Sequence, residues 1–528
     1  MTQDVETGEQ ICHTEPSTLA PLVKEYDQII GHNIIGFDAP VLRKLWNIGI
    51  PKSKAVDTLI LSRLLNPQRD GGHSLRSWGL ELKNQKIDFE DYDSGLSDEM
   101  VHYCKQDVAL TADVYRTIMV GLNGWKDPVQ SITLEHDIAV ICRRQEENGF
   151  KLDIPAATTL KATLSDRMGV LEDTVQSVFP PIVEERYSEK TGKRLKDKVT
   201  VFNLASRKQI GERLQALGWK PKKLTEKGQP IVDEGTLESV DIPEAQMIAE
   251  YLMLQKRVAM IDSWLKHVKE DGRVHGGIIT NGAVTGRMTH RNPNMGQVPS
   301  VNKPYGKEIR SLWTVEDGNV LVGTDLSGIE LRCLSHYMQD PDWQEELLNG
   351  DIHQKNADAA GITRAQAKTL IYATLYGAGP SKVGSIVGGG AKEGNEILFR
   401  FYNNTPKLRE LMEKVQKVAP KGYVPGLDGR RILVRSDHAA LNSLLQGCGA
   451  IIAKQWNIEA TKMLKHYAVP FKQVAIVHDE IQIETEERYG EQVAEIMVDA
   501  ASKAGFTLGF RCPVDAEAKI GKNWFDTH

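Results

Sequence analysis

Two apolar runs far apart in the chain, GNVLVGTDLS (318–327) and FKQVAIVHDEIQIET (471–485), both have strand character, and each presents an acid at a strand end. The first delivers Asp325 at its end. The second reads as a hairpin whose tight turn carries His478, Asp479 and Glu480. Taken singly, such an aspartate is most often a turn or cap residue. Two of them, each able to bridge a pair of divalent ions about 3.5–4 Å apart, are what a two-metal phosphoryl-transfer site requires. A fold that serves this chemistry must bring the two strand ends together.

Between them, in TRAQAKTLIYATLYGAG, Arg364, Lys368, Tyr372 and Tyr376 recur every four residues and run into Gly377. At about 3.6 residues per turn, one helix face then carries two cations able to hold a triphosphate and two aromatics able to stack on a base. A salt-bridged surface helix would account for the cations. It would not account for two aromatics continuing the same stripe into a glycine.

The chain has 528 residues and 41% hydrophobic content, more than one core usually organises, so two to four domains are expected. The six cysteines (Cys12, Cys104, Cys142, Cys333, Cys448, Cys512) form no C-x-x-C pair, which fits a reducing cytosol and buried thiols rather than a zinc site or disulfide framework. Neither a membrane span nor a secretory leader is indicated, so a cytoplasmic location is expected, the host cytoplasm if the source is a phage. The net charge of −6 would discourage nucleic-acid binding, yet Arg186 to Lys227 holds thirteen Lys or Arg against four Asp or Glu. That stretch is either a solvated basic linker or a phosphate-tracking surface.

Along the chain, residues 1 to about 122 alternate short apolar runs (DQIIGHN, KAVDTLIL) with helical stretches, the pattern of a small α/β domain. NGWKDP (123–128) breaks that pattern. Helices are then predicted at about 129–178, 204–218 and 243–269, before a mixed region begins after GGIITNGAVTGR.

The strings TGRMTHRNPNMGQVP, DLSGIELR, DIH, RAQAKTLIYATLYGAG, LNSLLQG and VHDEIQ occur in that order, and together they resemble the motifs of family A DNA polymerases, the group that contains bacterial DNA polymerase I. The likeness is greatest to the replicative polymerases of T-odd podophages and runs from residue 28 to the C-terminus. It implies an α+β multidomain fold: a right-hand polymerase of palm, fingers and thumb preceded by an incomplete RNase H-like α/β exonuclease domain. The expected boundaries are 1–124 (exonuclease-like), 125–275 (thumb), 276–360 and 426–528 (palm), and 361–425 (fingers).

The resemblance further implies that Asp325 and Asp479 hold two Mg²⁺ ions, with Mn²⁺ able to substitute and Glu480 in support. Glu330 matches the residue that closes against a ribose 2′-hydroxyl, so deoxynucleoside triphosphates are the expected substrates. His353, Arg364 and Lys368 match residues that hold the triphosphate, Lys368 also as proton donor to pyrophosphate. Tyr372 falls where the sugar 3′ position is sensed, and Tyr376 where the templating pair stacks. Arg287, Asn294, Gln297, Asn442, Gln446 and His478 match positions lining primer and template, where amides and guanidinium groups read acceptors common to every correct pair. The basic stretch falls in the thumb, which favours phosphate tracking. SVFPPIVEERYSEKTGKRLKDKVTVFN is short where the podophage relatives carry an insertion that captures thioredoxin. No thioredoxin clamp is expected, but rather a monomer with a replisome helicase-primase as candidate partner.

In the N-terminal region, GHNIIGFD (Asp38) and YCKQD (Tyr103, Asp107) resemble the second and third motifs of DnaQ-like 3′-to-5′ exonucleases, which also need an Asp-x-Glu pair on a first strand. The chain opens MTQDVETGEQ, but a strand, a hairpin and a helix before DQIIGHN demand roughly 40 residues, and only about twenty lie between Glu6 and Asp27. Asp4-Val5-Glu6 is therefore expected on a surface hairpin, the catalytic first strand is expected to be absent, and proofreading is expected to be weak or lost. Two competing readings remain: a nuclease whose C-terminal region only grips DNA, and a noncatalytic DNA-binding protein. The intact Asp325, Asp479 and Arg364–Tyr376 stripe count against both, and Glu330 counts against an RNA polymerase.

Overall fold

The computed structural model describes all residues except Tyr92, Ser94 and Lys222, so the Lys222 part of the basic stretch lies outside the described residues. The chain divides into two compact units, one of residues 1–150, 275–298 and 315–528, the other of residues 151–274 and 299–314.

In the N-terminal lobe of the larger unit, Thr2–Gln3 pairs antiparallel with Gln10–Ile11. Asp4 spends its carboxylate on the connecting turn: Oδ1 accepts from the Glu6 and Thr7 amides at 2.8 and 2.7 Å, and Oδ2 accepts from the Tyr26 hydroxyl at 2.9 Å. This is the turn chemistry for which Asp is favoured. The only other strands described in this lobe are the parallel pair Ile29–Gly31 and Ala55–Asp57. KAVDTLIL stays extended for three residues only. Asp57 then caps the helix Thr58–Leu65 by accepting from the Leu59 and Ile60 amides, and it also accepts from the Asn33 and Ile35 amides.

A continuous helix over 129–178 is not what forms. The helix Pro128–Asn148 stops at Gly149, whose φ of +62° suits glycine, and after the strand Phe150–Leu152 a second helix, Ile154–Val178, starts on an Asp153 cap. The first helix belongs to the larger compact unit, whose first segment runs to residue 150. Its buried face explains why: Leu134, Ile138, Ile141 and Cys142 join the main core.

That core surrounds a four-stranded antiparallel sheet ordered Lys472–Val477, Glu480–Glu486, Asn319–Leu326, Ala516–Gly521. The helix Gly490–Thr507 packs on the sheet and the helix Ala440–His466 packs on that helix, Trp456 Nε1 donating to the Met497 carbonyl at 2.8 Å to join them. Along Asn319–Leu326, Val320, Leu321 and Val322 are 4%, 0% and 0% exposed, each burial worth about 1.5–3 kcal/mol. Asp325 is the exposed residue of this strand.

The larger unit also buries a set of four charges. Arg430 donates to Asp428 through Nε and Nη2 and to Glu135 through Nη1 at 2.6 Å, while Lys454 Nζ donates to the same Glu135 oxygen at 2.5 Å. All four are at most 3% exposed. Two acids and two bases cancel, so none is left as an isolated charge in a dry interior.

In the smaller unit, helices Ile154–Val178 and Pro243–His267 pack side by side, joined by Lys161–Asp262 at 2.5 Å and a two-bond Arg167–Glu250 pair. An exposed hairpin, Ile182–Tyr187 with Arg194–Thr200, carries the start of the basic stretch. Part of its charge is neutralised internally, by Glu184–Lys198 and by Arg194 on Glu185 and Asp197.

Replacing Lys454 by Met leaves the acids of the buried cluster in excess. The unfolding free energy of Lys454→Met is expected to fall by about 3–5 kcal/mol, read from the denaturant midpoint at unchanged slope. A loss below about 1 kcal/mol would show that the core tolerates the imbalance.

Candidate active site

The register of the central sheet sets Asp325 directly opposite Glu480, and the Leu326 amide donates to the Asp479 carbonyl at 3.0 Å. The two aspartates expected from sequence therefore meet at one end of the sheet. His478, in the turn, adopts a φ of +59°, one of few non-glycine residues to do so. Burial pushes the Asp479 carboxyl above the usual carboxylate range, and the nearby charges of His478 and Arg287 only partly oppose this. Burial, followed by Arg287, pushes His478 the other way, toward its neutral form.

Glu480 is not presented like the aspartates. It is 6% exposed and accepts from Gln482 Nε2 at 2.6 Å and from Trp524 Nε1, while His528 lies 3.2 Å away. These contacts tie the hairpin to the C-terminal residues.

A second acid, Glu330, stands on the first turn of the helix Ile329–Met338. Its Oε1 accepts from Arg287 Nη2 at 3.4 Å and from the Tyr376 hydroxyl at 3.2 Å. Burial together with the Glu330 charge holds the phenols of Tyr372 and Tyr376 protonated above their usual range. Arg287, Glu330, His478 and Asp479 line one small cavity of about 20 Å³ with Met288, Ile329 and the inward face of Ala440–His466.

The stripe forms as its spacing predicts. The helix Arg364–Leu375 begins on a capping box of Thr363 and Gln366 and ends on Tyr376, followed by Gly377. A Cβ on Gly377 would come within 2.6 Å of the His438 carbonyl, so the stripe ends where backbone packs on backbone. At the far end of the helix Arg364 Nε donates to Asp351 at 2.7 Å, which holds that carboxyl below its usual range. His353 follows Asp351 and is kept neutral by burial and then by the charges of Lys368 and Arg364. Its Nδ1 is buried with no hydrogen-bond partner among the described residues.

The other expected positions are placed locally. Asn294 caps the turn Met295–Gln297, with Asn294 and Gln297 both exposed, and Asn442 lies half-buried one turn before Gln446. In the N-terminal lobe Asp38 opens the helix Asp38–Trp46, while Tyr103 and Asp107 share the Lys86 ammonium, at 2.9 and 2.5 Å. Sequence reading missed Asp351 and Lys454. Asp351 had a signal in its helix-cap position within DIH, and Lys454 in being a lone cation inside CGAIIAKQW.

The donor set suits a divalent cation bound with its substrate. Among the described residues no three His, Cys, Asp or Glu side chains gather around one point, and Asp325 and Asp479 offer only hard oxygen donors. Mg²⁺ is commonly held in this way, by one or two carboxylates with substrate phosphates and water completing its shell.

Comparison with known proteins places this geometry in context. The profile of DNA polymerase family A matches residues 183–526. The DNA-directed DNA polymerases of Enterobacteria phage T3 and Escherichia phage T7 are each 34% identical to the chain, over 96% and 95% of it and 93% and 92% of their own lengths. Those alignments run over 655 and 652 positions, more than the 528 residues present, so both relatives carry stretches without a counterpart here. DNA polymerase I of Aquifex aeolicus is 28% identical over 97% of the chain and 90% of its own length. Among solved structures, the POL domain of Pol1 from M. smegmatis, in complex with DNA primer-template and dNTP, shares the fold with a TM-score of 0.80 at 19% identity, over 97% of this chain and 88% of that one. A profile match over most of its length, and one-third identity to two phage enzymes across nearly all of it, make this chain a member of DNA polymerase family A and an enzyme of the nucleotidyltransferase type.

Proposed function

We propose that the chain extends a primer 3′ end on a DNA template by adding deoxynucleotides, at a site in which Asp325 and Asp479 hold two divalent cations. The observation that carries this reading is the sheet register that unites the two aspartates beside the tethered Glu330. When bound, the cations supply activation of the primer hydroxyl and neutralisation of charge on the phosphates.

The residues do the rest. Arg364, Lys368 and the neutral His353 offer donors to the triphosphate, and Arg364 must exchange Asp351 for phosphate as the nucleotide arrives. Lys368 is placed on the same face to protonate departing pyrophosphate. Glu330, fixed by Arg287 and Tyr376, stands where a ribose 2′-hydroxyl would enter, so its rigid carboxylate selects against ribonucleotides. Tyr376 lies at the end of the stripe, and movement of its helix over a correct pair would couple pairing to chemistry.

Exposed Lys190, Lys193 and Lys196 in the hairpin of the smaller unit are suited to track phosphates. Its shortness supports the absence of a thioredoxin clamp. Proofreading is proposed to be lost: Asp4 is committed to its own turn, and Lys86 sits on Tyr103 and Asp107, the two groups that would orient water and hold metal.

A labelled primer with a mismatched 3′ end, annealed to template with Mg²⁺, tests both parts. Lengthening is expected with deoxynucleotides and no shortening without them. Shortening that disappears in Asp38→Ala would refute the loss of proofreading. Glu330→Ala is expected to relax deoxyribo- over ribonucleotide selection on the order of 10–100-fold, measured as the ratio of kcat/KM values. An unchanged ratio would remove Glu330 from that role.

A further inference from the structure

The buried cluster of Glu135, Asp428, Arg430 and Lys454 is used by none of the steps above, yet it touches the loop that delivers Arg287. Between the strands Gly277–Ile279 and Thr289–Arg291 the chain turns through Ala283–Arg287, closed by Ala283 N to the Arg287 carbonyl at 3.1 Å and Gly286 N to the Ala283 carbonyl at 2.9 Å. Gly286 sits at φ +78°, and a Cβ built on it would lie 3.2 Å from Arg430 Nη1 and 3.2 Å from Asn281 Oδ1. One residue earlier, the Thr285 carbonyl approaches Gly447 of the helix Ala440–His466 to 3.3 Å of where a Cβ would stand. The turn is thus seated between a guanidinium and a helix that presents no side chain there.

Arg430 has no freedom to retreat. Asp428 takes Nε and Nη2, and Nη1, the atom facing Gly286, is held on Glu135, which in turn takes Lys454. The next residue after Gly286 is Arg287, whose guanidinium reaches Glu330 and whose charge acts on His478 and Asp479. Lys454 also lines the cavity shared by these residues.

We propose that Arg430 is a positioning residue for primer-template binding: held by Asp428 and Glu135, it sets the Gly286 turn and thereby aims Arg287 into the site. The inference rests on reading Arg287 as a primer-template contact. A displacement of about 1 Å at such a group is enough to lower activity strongly, which makes a rigid buttress worth its buried charges.

The experiment is steady-state primer extension on Arg287→Ala, Arg430→Lys and the double variant, with kcat and the KM for primer-template separated and folding followed by circular dichroism melts. Lysine keeps the charge but cannot form the two-bond fork on Asp428. Arg430→Lys is expected to raise the KM for primer-template roughly tenfold with a smaller change in kcat, and to add nothing in the Arg287→Ala background, since coupled residues are not additive. An unchanged KM in Arg430→Lys, or an effect that adds in full to that of Arg287→Ala, overturns the positioning role while leaving Arg287 in place. If Arg287→Ala itself leaves KM unchanged, the underlying reading of Arg287 fails, and the inference with it. Should Arg430→Lys not fold, Gly286→Ala strains the turn at its positive φ while keeping all four charged residues of the cluster, and it must show the same rise in KM. A wild-type KM in Gly286→Ala would likewise overturn the proposal.

Discussion

Everything at the site depends on one strand pairing. The antiparallel register between Asn319–Leu326 and Glu480–Glu486 fixes Asp325 against Glu480 and, one residue further round the turn, Asp479 against Leu326. Because side chains alternate along a strand, a slip of one residue would turn Asp325 inward and bury it. Gly323 helps lock the register. A Cβ there would fall 2.5 Å from Gln482 Nε2 and 2.6 Å from Thr527 Cβ, so the C-terminal segment can close on the sheet only over a glycine. Trp524 closes the same region by donating to Glu480.

Charge is handled in two opposite ways within one unit. In the core, Glu135, Asp428, Arg430 and Lys454 are dry and mutually neutralised, so they hold geometry. At the sheet end, Asp479 is partly desolvated and its carboxyl raised, a shift opposed first by a backbone hydrogen bond and only then by nearby charge such as that of Arg287. An acid so placed gains much from an incoming cation. In the N-terminal lobe, by contrast, Asp107 is paired with a cation of the chain itself, Lys86.

Much of this was legible in the sequence, for physical reasons. The four-residue spacing of Arg364, Lys368, Tyr372 and Tyr376 survives into the structure because the first three lie on one helix and the fourth is its C-cap, so their common face is set locally. Asp325 and Asp479 were legible because strand ends after apolar runs are local signals. The surface hairpin that carries Asp4-Val5-Glu6 was legible from the short spacing between Glu6 and Asp27. What failed to show was non-local or hung on a single residue. The stop at Gly149 hides inside a helical pattern, and the cap that turns KAVDTLIL from strand to helix depends on one buried Asp57. The four-charge cluster draws its members from positions 135, 428, 430 and 454, and only folding brings them together.

Asp325 and Asp479 are proposed as the nucleotidyl-transfer centre of a DNA-extending site. The most direct measurement compares Asp479→Asn with the unaltered chain, in single-nucleotide incorporation with Mg²⁺ and in equilibrium binding of primer-template. The change keeps shape and removes one negative charge, so incorporation should fall on the order of 10³-fold while binding holds within about twofold. Incorporation at the unaltered rate with binding intact would contradict the account, because the sheet register would then unite two aspartates that do no chemistry.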